Sequence, residues 1–198
     1  MLKPNNYDNV TASGEFTPIT LGGHHLIVKK VEESKTKTGK DMIIVAFDMA
    51  PGDSQPGYFA KEFANDIRPD KKWPRAGRQY ITVLDSQGNT SKSFKTFITS
   101  VEKSNSGFTT QWGDGFAAQF KGKRIGGVFG EVENEYNGKT SMRHELRWFC
   151  ADDKADSANI PAAKYLPNKN RMVNSPEVEK ELDGFLNLPD GTDEETPF

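Results

Sequence analysis

The sequence contains a single cysteine, Cys150, among its 198 residues. One cysteine excludes an intramolecular disulfide and any zinc site built from cysteines, and it is typical of proteins from a reducing compartment. No apolar run approaches the ~18 residues needed to cross a membrane, and no charged-then-apolar leader begins the chain. We therefore expect a cytoplasmic protein without membrane contact.

Motifs of nucleotide and nucleophile chemistry are also missing. The chain has neither a Gly-rich phosphate loop ending in Gly-Lys-Ser/Thr nor a Gly-x-Ser-x-Gly turn. His24 and His25 are adjacent, so in a strand they point to opposite faces and cannot share a metal. The remaining metal candidates, for a Mg²⁺-dependent nuclease, are Glu131, Glu133 and Glu135 with Asp114 or Glu145. Alternation on a solvent face explains these acids more simply, so we predict no catalytic residue, metal or cofactor.

The charge is unevenly distributed along the chain. Residues 177–198 contain eight acids and one lysine, so residues 1–176 hold 20 of the 28 acids and 25 of the 26 basic residues, a net charge of +5. A basic body joined to an acidic end is a common arrangement in proteins that bind polyanions.

Apolar periodicity predicts a mainly β protein. Helical spacing of apolar residues appears once, over Ser91–Lys103, with lysines on the opposite face. Asn137-Gly138 suits a type I′ turn between the last two strands. The five predicted strands are His24–Glu33, Met42–Met49, Tyr58–Phe63, Lys123–Glu133 and Thr140–Cys150. On the last strand we expect Arg143, Glu145, Arg147 and Phe149 to share one face.

Three strands, a helix and two strands are the order of an OB-fold, a five-stranded Greek-key barrel with its helix between strands three and four. We assign this domain, with an N-terminal arm, to residues 1–151. Residues 152–189 are predicted to be a linker with one short helix, and residues 190–198 an acidic tip for protein interactions.

The acidic tip ends in an aromatic residue that carries the terminal carboxylate. Pro197 removes a backbone donor and restricts the chain beside Phe198. A partner with an apolar pocket and a basic rim would capture this end by terminal-carboxylate recognition. The predicted partner-binding residues are Asp193, Glu194, Glu195, Pro197 and Phe198.

This ending resembles the acidic Pro-Phe tip of bacterial and bacteriophage single-stranded DNA-binding proteins. The body resembles small phage replication proteins of OB-fold type, in the run from Gly22 to Thr38-Gly39-Lys40, in Ile43–Phe47 and in Phe120–Arg124. The loops at 64–78 and 104–115 are longer than in the usual bacterial protein, and the linker lacks its Gly/Gln/Pro-rich composition. The resemblance implies binding to single-stranded DNA and recruitment of replication, recombination and repair proteins through the tip. These differences from the usual bacterial protein put its tetrameric state in doubt for this chain, and a dimer is the favoured homo-oligomer.

The implied mechanism is non-catalytic, because a basic groove follows the phosphates while aromatic faces accept bases. The predicted phosphate contacts are Lys35, Lys37, Lys40, Lys61, Lys71, Lys72, Arg75, Arg78, Lys121, Lys123 and Arg124. Trp73 is the first stacking candidate, with packing under its own loop as the alternative; Trp112 and Tyr58 follow. Arg143 and Arg147 either meet DNA or pair with glutamates of the preceding strand. Alternative functions are a replisome or recombination adaptor that binds mainly protein, and the Mg²⁺-dependent nuclease.

Overall fold

One antiparallel sheet of five strands organises the protein. The computed structural model describes residues 2–4, 7 and 17–167, and residues 17–166 belong to one compact unit. The predicted tip, 190–198, and residues 168–189 of the predicted linker, with its short helix, lie outside the described residues. The sheet has the order β3-β2-β1-β4-β5, and its strands are β1 (Gly22–Lys35), β2 (Asp41–Met49), β3 (Arg78–Thr82), β4 (Arg124–Tyr136) and β5 (Lys139–Cys150).

The long strand β1 joins the two halves of the sheet. Its first part, Gly22–Ile27, pairs with β4, whereas Leu26–Lys35 pairs with β2. The pairing register shifts between Val28 and Lys30, which leaves Lys29 as the extra residue of a bulge. Since a bulge bends a strand and increases its twist, β1 can serve both halves.

The segment predicted as the third strand is instead a helix, α1 (Tyr58–Asn65), and the third strand is Arg78–Thr82. The buried carboxylate of Asp48 accepts hydrogen bonds from the backbone N–H groups of Phe59 (3.0 Å) and Ala60 (3.4 Å). These two donors lie in the first turn of the helix, where backbone N–H groups have no intrahelical partner. A cap supplied from β2 therefore decides the conformation of a short apolar segment.

The predicted helix is confirmed as α2 (Lys92–Ser104), between β3 and β4. The Ser91 side chain caps it by accepting from the N–H of Phe94 at 3.2 Å. Phe94, Phe97, Ile98 and Val101 are buried in the core beneath the sheet, together with residues such as Val45 and Phe47. No helix of the described residues is long and apolar enough to cross a membrane.

The β4–β5 hairpin is confirmed around Asn137 and Gly138, both with positive φ (51° and 72°). The prediction that Arg143, Glu145, Arg147 and Phe149 share one face of β5 is wrong. The pairing register with β4 shifts between Val128 and Phe129 and leaves Arg147 as an extra residue. Leu146 and Phe149 are consequently both buried.

Residues 152–166, which the sequence assigns to a linker, lie against β4. Lys164 forms a parallel bridge with Val132, and its N–H donates to the carbonyl of Glu131 at 2.9 Å. A Cβ at Gly130 would lie 2.4 Å from Cγ of Pro161. Only glycine allows this close approach.

Candidate nucleic-acid interface

The outer face of β1, β2 and β3 presents side chains in three cross-strand rows, and we call it the sheet face. Ala46 lies between Lys30 and Arg78, Ile44 between Glu32 and Tyr80, and Met42 between Ser34 and Thr82. The alternate residues of β2, including Ile43 and Val45, are buried in the core. Period-two alternation therefore separates this face from the apolar interior.

Tyr80 is the exposed aromatic of the sheet face, with 40 % of its surface accessible. Arg78 precedes it by two residues on the same face of β3 and forms no ion pair with another described residue. Lys30 is neutralised by an ion pair with Glu32. The sheet face thus offers one ring beside one uncompensated guanidinium. Sequence reasoning missed Tyr80 because it placed the third strand in the wrong segment.

The loop between β1 and β2 carries three predicted phosphate contacts, all exposed: Lys35, Lys37 and Lys40. Thr36 orders the loop, because its N–H donates to the carbonyl of Lys40 (2.8 Å) and its hydroxyl accepts from the Lys40 N–H (3.0 Å). Lys35 pairs with Asp41 at 2.7 Å, which reduces the net charge at the base of the loop.

Trp73 packs beneath its own loop, the alternative that the sequence left open. Its indole N–H lies 3.0 Å from the carbonyl of Phe47 and 3.1 Å from that of Gly77, and its ring packs on Phe63. A Cβ at Gly77 would lie 2.7 Å from Trp73 Nε1. The half-buried indole is therefore built into the edge of the core.

The other predicted contacts near α1 differ in exposure. Tyr58 is half-buried against Phe59, and burial raises the pKa of its hydroxyl to about 12. Lys71 lies over the ring of Phe63, with Nζ 4.8 Å from its centroid. The remaining exposed members of the set are Lys61, Lys72 and Arg75.

Trp112 is the most exposed tryptophan of the predicted set, at 67 %. Its indole stacks on the buried ring of Phe116, with 5.3 Å between centroids and 15° between planes. Stacking on Phe116 covers one face of the indole, so the high exposure leaves the other face open to solvent. Trp112, ranked below Trp73 by sequence, has the more suitable geometry for stacking a base.

The remaining predicted contacts lie on or near β4 and β5. Lys121 is exposed, Lys123 lies over the ring of Phe108 with Nζ 4.4 Å from its centroid, and Arg124 pairs with Asp152 at 2.9 Å. Arg147 donates to the carbonyl of Ala162 at 3.0 Å, and burial lowers the pKa of its guanidinium.

Arg143 is the exposed arginine of β5 and forms no ion pair with another described residue. Arg147 differs in that it donates to the backbone carbonyls of Glu131 and Ala162, and neither arginine forms an ion pair with a glutamate carboxylate of β4.

Among residues 17–167, no three histidine, cysteine, aspartate or glutamate side chains are grouped closely enough to hold a metal ion. Glu133 instead accepts from the N–H of Leu166 at 3.1 Å, and Glu131 lies 3.9 Å from His144. Burial raises the pKa of the Cys150 thiol to about 11.

No protein-family model matches the sequence, and no curated protein matches it significantly.

Proposed function

We propose that this protein binds and protects single-stranded DNA without catalysis, on an OB-fold body, during replication, recombination and repair. The observation that carries the proposal is the sheet face, where the exposed ring of Tyr80 lies beside the uncompensated Arg78 and Lys-rich loops flank the strands. A stacking ring beside a phosphate-binding cation is the basic element of sequence-independent single-strand binding.

The strand order supports the OB-fold part of the proposal. In this fold the first strand pairs with strands two and four, and the helix lies between strands three and four. Here β1 pairs with β2 and β4, and α2 lies between β3 and β4. The turn Arg75–Gly77, which leads into β3, contacts β5, and this contact favours closure of the barrel between the two end strands.

The acidic tip supplies the second part of the proposal. Phe198, Pro197 and the acids at 193–195 suit a partner with an apolar pocket and a basic rim. Replication, recombination and repair enzymes are the proposed partners. Capture of purified replication proteins by the intact chain, with loss of capture by the Phe198→Ala variant, is the expected result.

The test of DNA binding is a titration of tryptophan fluorescence with a thymidine oligonucleotide, the matching duplex and single-stranded RNA, with Mg²⁺ and at two salt concentrations. We expect tight, salt-sensitive binding to the single strand without cleavage, because each phosphate contact releases counterions. Tyr80→Ala should weaken binding about 5-fold or more, whereas Tyr165→Ala, a control tyrosine outside the sheet face, should not. Absence of binding would favour a protein-binding adaptor, and shortened DNA would favour a nuclease.

A further inference from the structure

The loop after α2 holds Trp112 as a rigid platform. Its lower face rests on Phe116, which is 8 % exposed, and its ring also contacts Phe94 of α2 at 6.2 Å between centroids. Phe94 is itself buried in the core. An exposed indole anchored on two buried rings keeps a fixed orientation, with its upper face towards solvent.

Hydrogen bonds fix the backbone around this platform. The side chain of Gln119 accepts from the N–H of Gln111 (2.8 Å) and donates to the carbonyls of Gln111 (2.7 Å) and Phe116 (2.8 Å). Glu102 of α2 accepts from the N–H of Thr110 at 3.0 Å. A ring ordered before binding avoids the entropic cost of ordering it afterwards.

A basic stripe runs along the solvent side of α2. Its members follow helical spacing, so they share one side of the helix, and they are Lys92, Lys95, Thr96, Thr99 and Lys103. The three lysines are exposed, and their side chains form no hydrogen bond or ion pair with another described residue. At 1.5 Å per residue the stripe is about 16 Å long, which suffices for several consecutive phosphates.

A cavity of about 620 Å³ adjoins this stripe. Its lining combines α2 with the start of the C-terminal segment: Lys95, Thr96, Thr99, Ser100, Lys103, Ala151, Asp153 and Lys154. Asp153 is the one acid of this lining, and its carboxylate lies 4.0 Å from Nζ of Lys154. The single acid of α2, Glu102, accepts a hydrogen bond from the backbone N–H of Thr110. The cavity and the stripe therefore carry net positive charge.

The stripe begins beside the sheet face. The N–H of Ser91, the cap of α2, donates to the carbonyl of Val83 at 2.9 Å, one residue beyond the end of β3. In sequence, Lys92 and Lys95 lie on either side of Phe94, which starts the buried side of α2 and whose ring contacts Trp112. An open aromatic face followed by a line of cations and hydroxyls matches a chain of bases and phosphates. An acidic peptide would provide the charges but no flat ring for the indole.

We propose that a single strand of nucleic acid continues from the sheet face along α2, with an unpaired base stacked on Trp112 and its phosphates against Lys92, Lys95 and Lys103. We call this path the α2 track. It rests on the proposed function and extends the binding site of that function to a second face of the body.

The α2 track is tested with fluorescently labelled thymidine oligonucleotides of about 8 and about 30 nucleotides, one within and one well beyond the usual 4–16 nucleotides of one OB-fold. The affinity and its salt dependence are measured for the intact chain, Trp112→Ala, Trp112→Phe and the double variant Lys95→Gln/Lys103→Gln. The control, Lys139→Gln/Lys164→Gln, removes the same charge at exposed positions away from α2. Circular dichroism melting confirms that each variant is folded.

For the long strand, we expect the α2 double variant to reduce the slope of log affinity against log salt by about 1.4, the value for two lost phosphate contacts. Trp112→Ala should weaken long-strand binding about 5- to 100-fold, and Trp112→Phe should restore most of it. Binding of the short strand, which the sheet face accommodates, should change little.

Two results would overturn the α2 track while leaving the proposed function intact. One is tight long-strand binding that neither Trp112→Ala nor the α2 double variant alters. The other is an equal loss of affinity and salt dependence in the control variant, which would mean that the effect comes from the total charge of the protein and not from the α2 positions. If the intact chain bound neither oligonucleotide, the proposed function and the α2 track would both be wrong.

Discussion

Nδ1 of His24 lies 2.9 Å from Oδ1 of Asp53, and only 2 % and 3 % of the two side chains is exposed. The other ring nitrogen of His24 faces the carbonyl of Thr20 at 2.9 Å. Asp53 also accepts from the N–H groups of His25 (2.8 Å) and Gln55 (2.9 Å). Acceptors at both ring nitrogens favour the protonated imidazole, which ties β1 to the segment after β2.

This pair predicts a pH-dependent stability. Burial alone lowers the pKa of His24, but the hydrogen bonds to Asp53 and Thr20 outweigh it and raise the pKa above 6.5. Burial raises the pKa of Asp53, but the bonds from His24 and the backbone bring it below 3.8. The histidine contribution is present below pH 6.5 and is lost as pH rises through its folded pKa. The aspartate contribution is present above pH 3.8 and is lost as pH falls through its folded pKa.

Asp53→Asn is therefore expected to lower the free energy of unfolding by about 3 kcal/mol between the two ordinary pKa values, and by less at alkaline pH. Urea unfolding at several pH values measures this difference. Asp156→Asn, at an exposed carboxylate beside His25, should cost less than about 1 kcal/mol. A deficit in Asp53→Asn that does not change with pH would contradict the ionic account.

Substitutions at Trp73 and Trp112 are predicted to differ in their effects on stability and on DNA affinity. Trp73→Phe deletes the N–H that faces two backbone carbonyls, so it should lower stability by about 1–3 kcal/mol and leave DNA affinity per folded molecule nearly unchanged. Trp112→Phe should leave stability almost unaltered. Thermal melting and oligonucleotide titration of both variants check this contrast, and a strong loss of affinity in folded Trp73→Phe would restore Trp73 as a stacking residue.

Gly23 is predicted to be essential for the packing of the C-terminal segment. A Cβ at this position would lie 1.8 Å from the carbonyl oxygen of Ala155, so Gly23→Ala should displace residues 151–166 and cost about 1–3 kcal/mol. Faster hydrogen exchange in that segment is the expected sign. Gly52→Ala is the control, since nothing lies within 4 Å of its Cβ position, and equal effects of the two variants would contradict the steric explanation.

The side-chain cap of α2 is predicted to contribute measurably to the free energy of unfolding. Ser91→Ala removes the side-chain acceptor for the N–H of Phe94 and the hydroxyl donor to the carbonyl of Thr82, and it should lower stability by about 1 kcal/mol, whereas Ser91→Thr, which keeps the hydroxyl, should retain most of it. Denaturant unfolding of the three proteins gives the comparison. Equal stability of Ser91→Ala and the parent would show that the cap does not contribute.

Local patterns in the sequence determined much of the sheet and one helix. Alternating apolar residues predicted the β1–β2 and β4–β5 hairpins, Asn137-Gly138 predicted the turn, and the spacing from Phe94 to Val101 predicted α2. These predictions succeed because each depends on neighbouring residues only. The polyanion-binding hypothesis likewise depends on composition, which needs no tertiary contact.

Tertiary structure alone decided the rest. Residues 58–63 became a helix because Asp48, on another element, caps it. The bulge at Arg147 brought both Leu146 and Phe149 into the core. Trp73 and Trp112 look alike in sequence, but the carbonyls of Phe47 and Gly77 hold one indole at the core edge, whereas Phe116 supports the other in solvent. Contacts between residues distant in sequence fix these roles, and local periodicity carries no information about them.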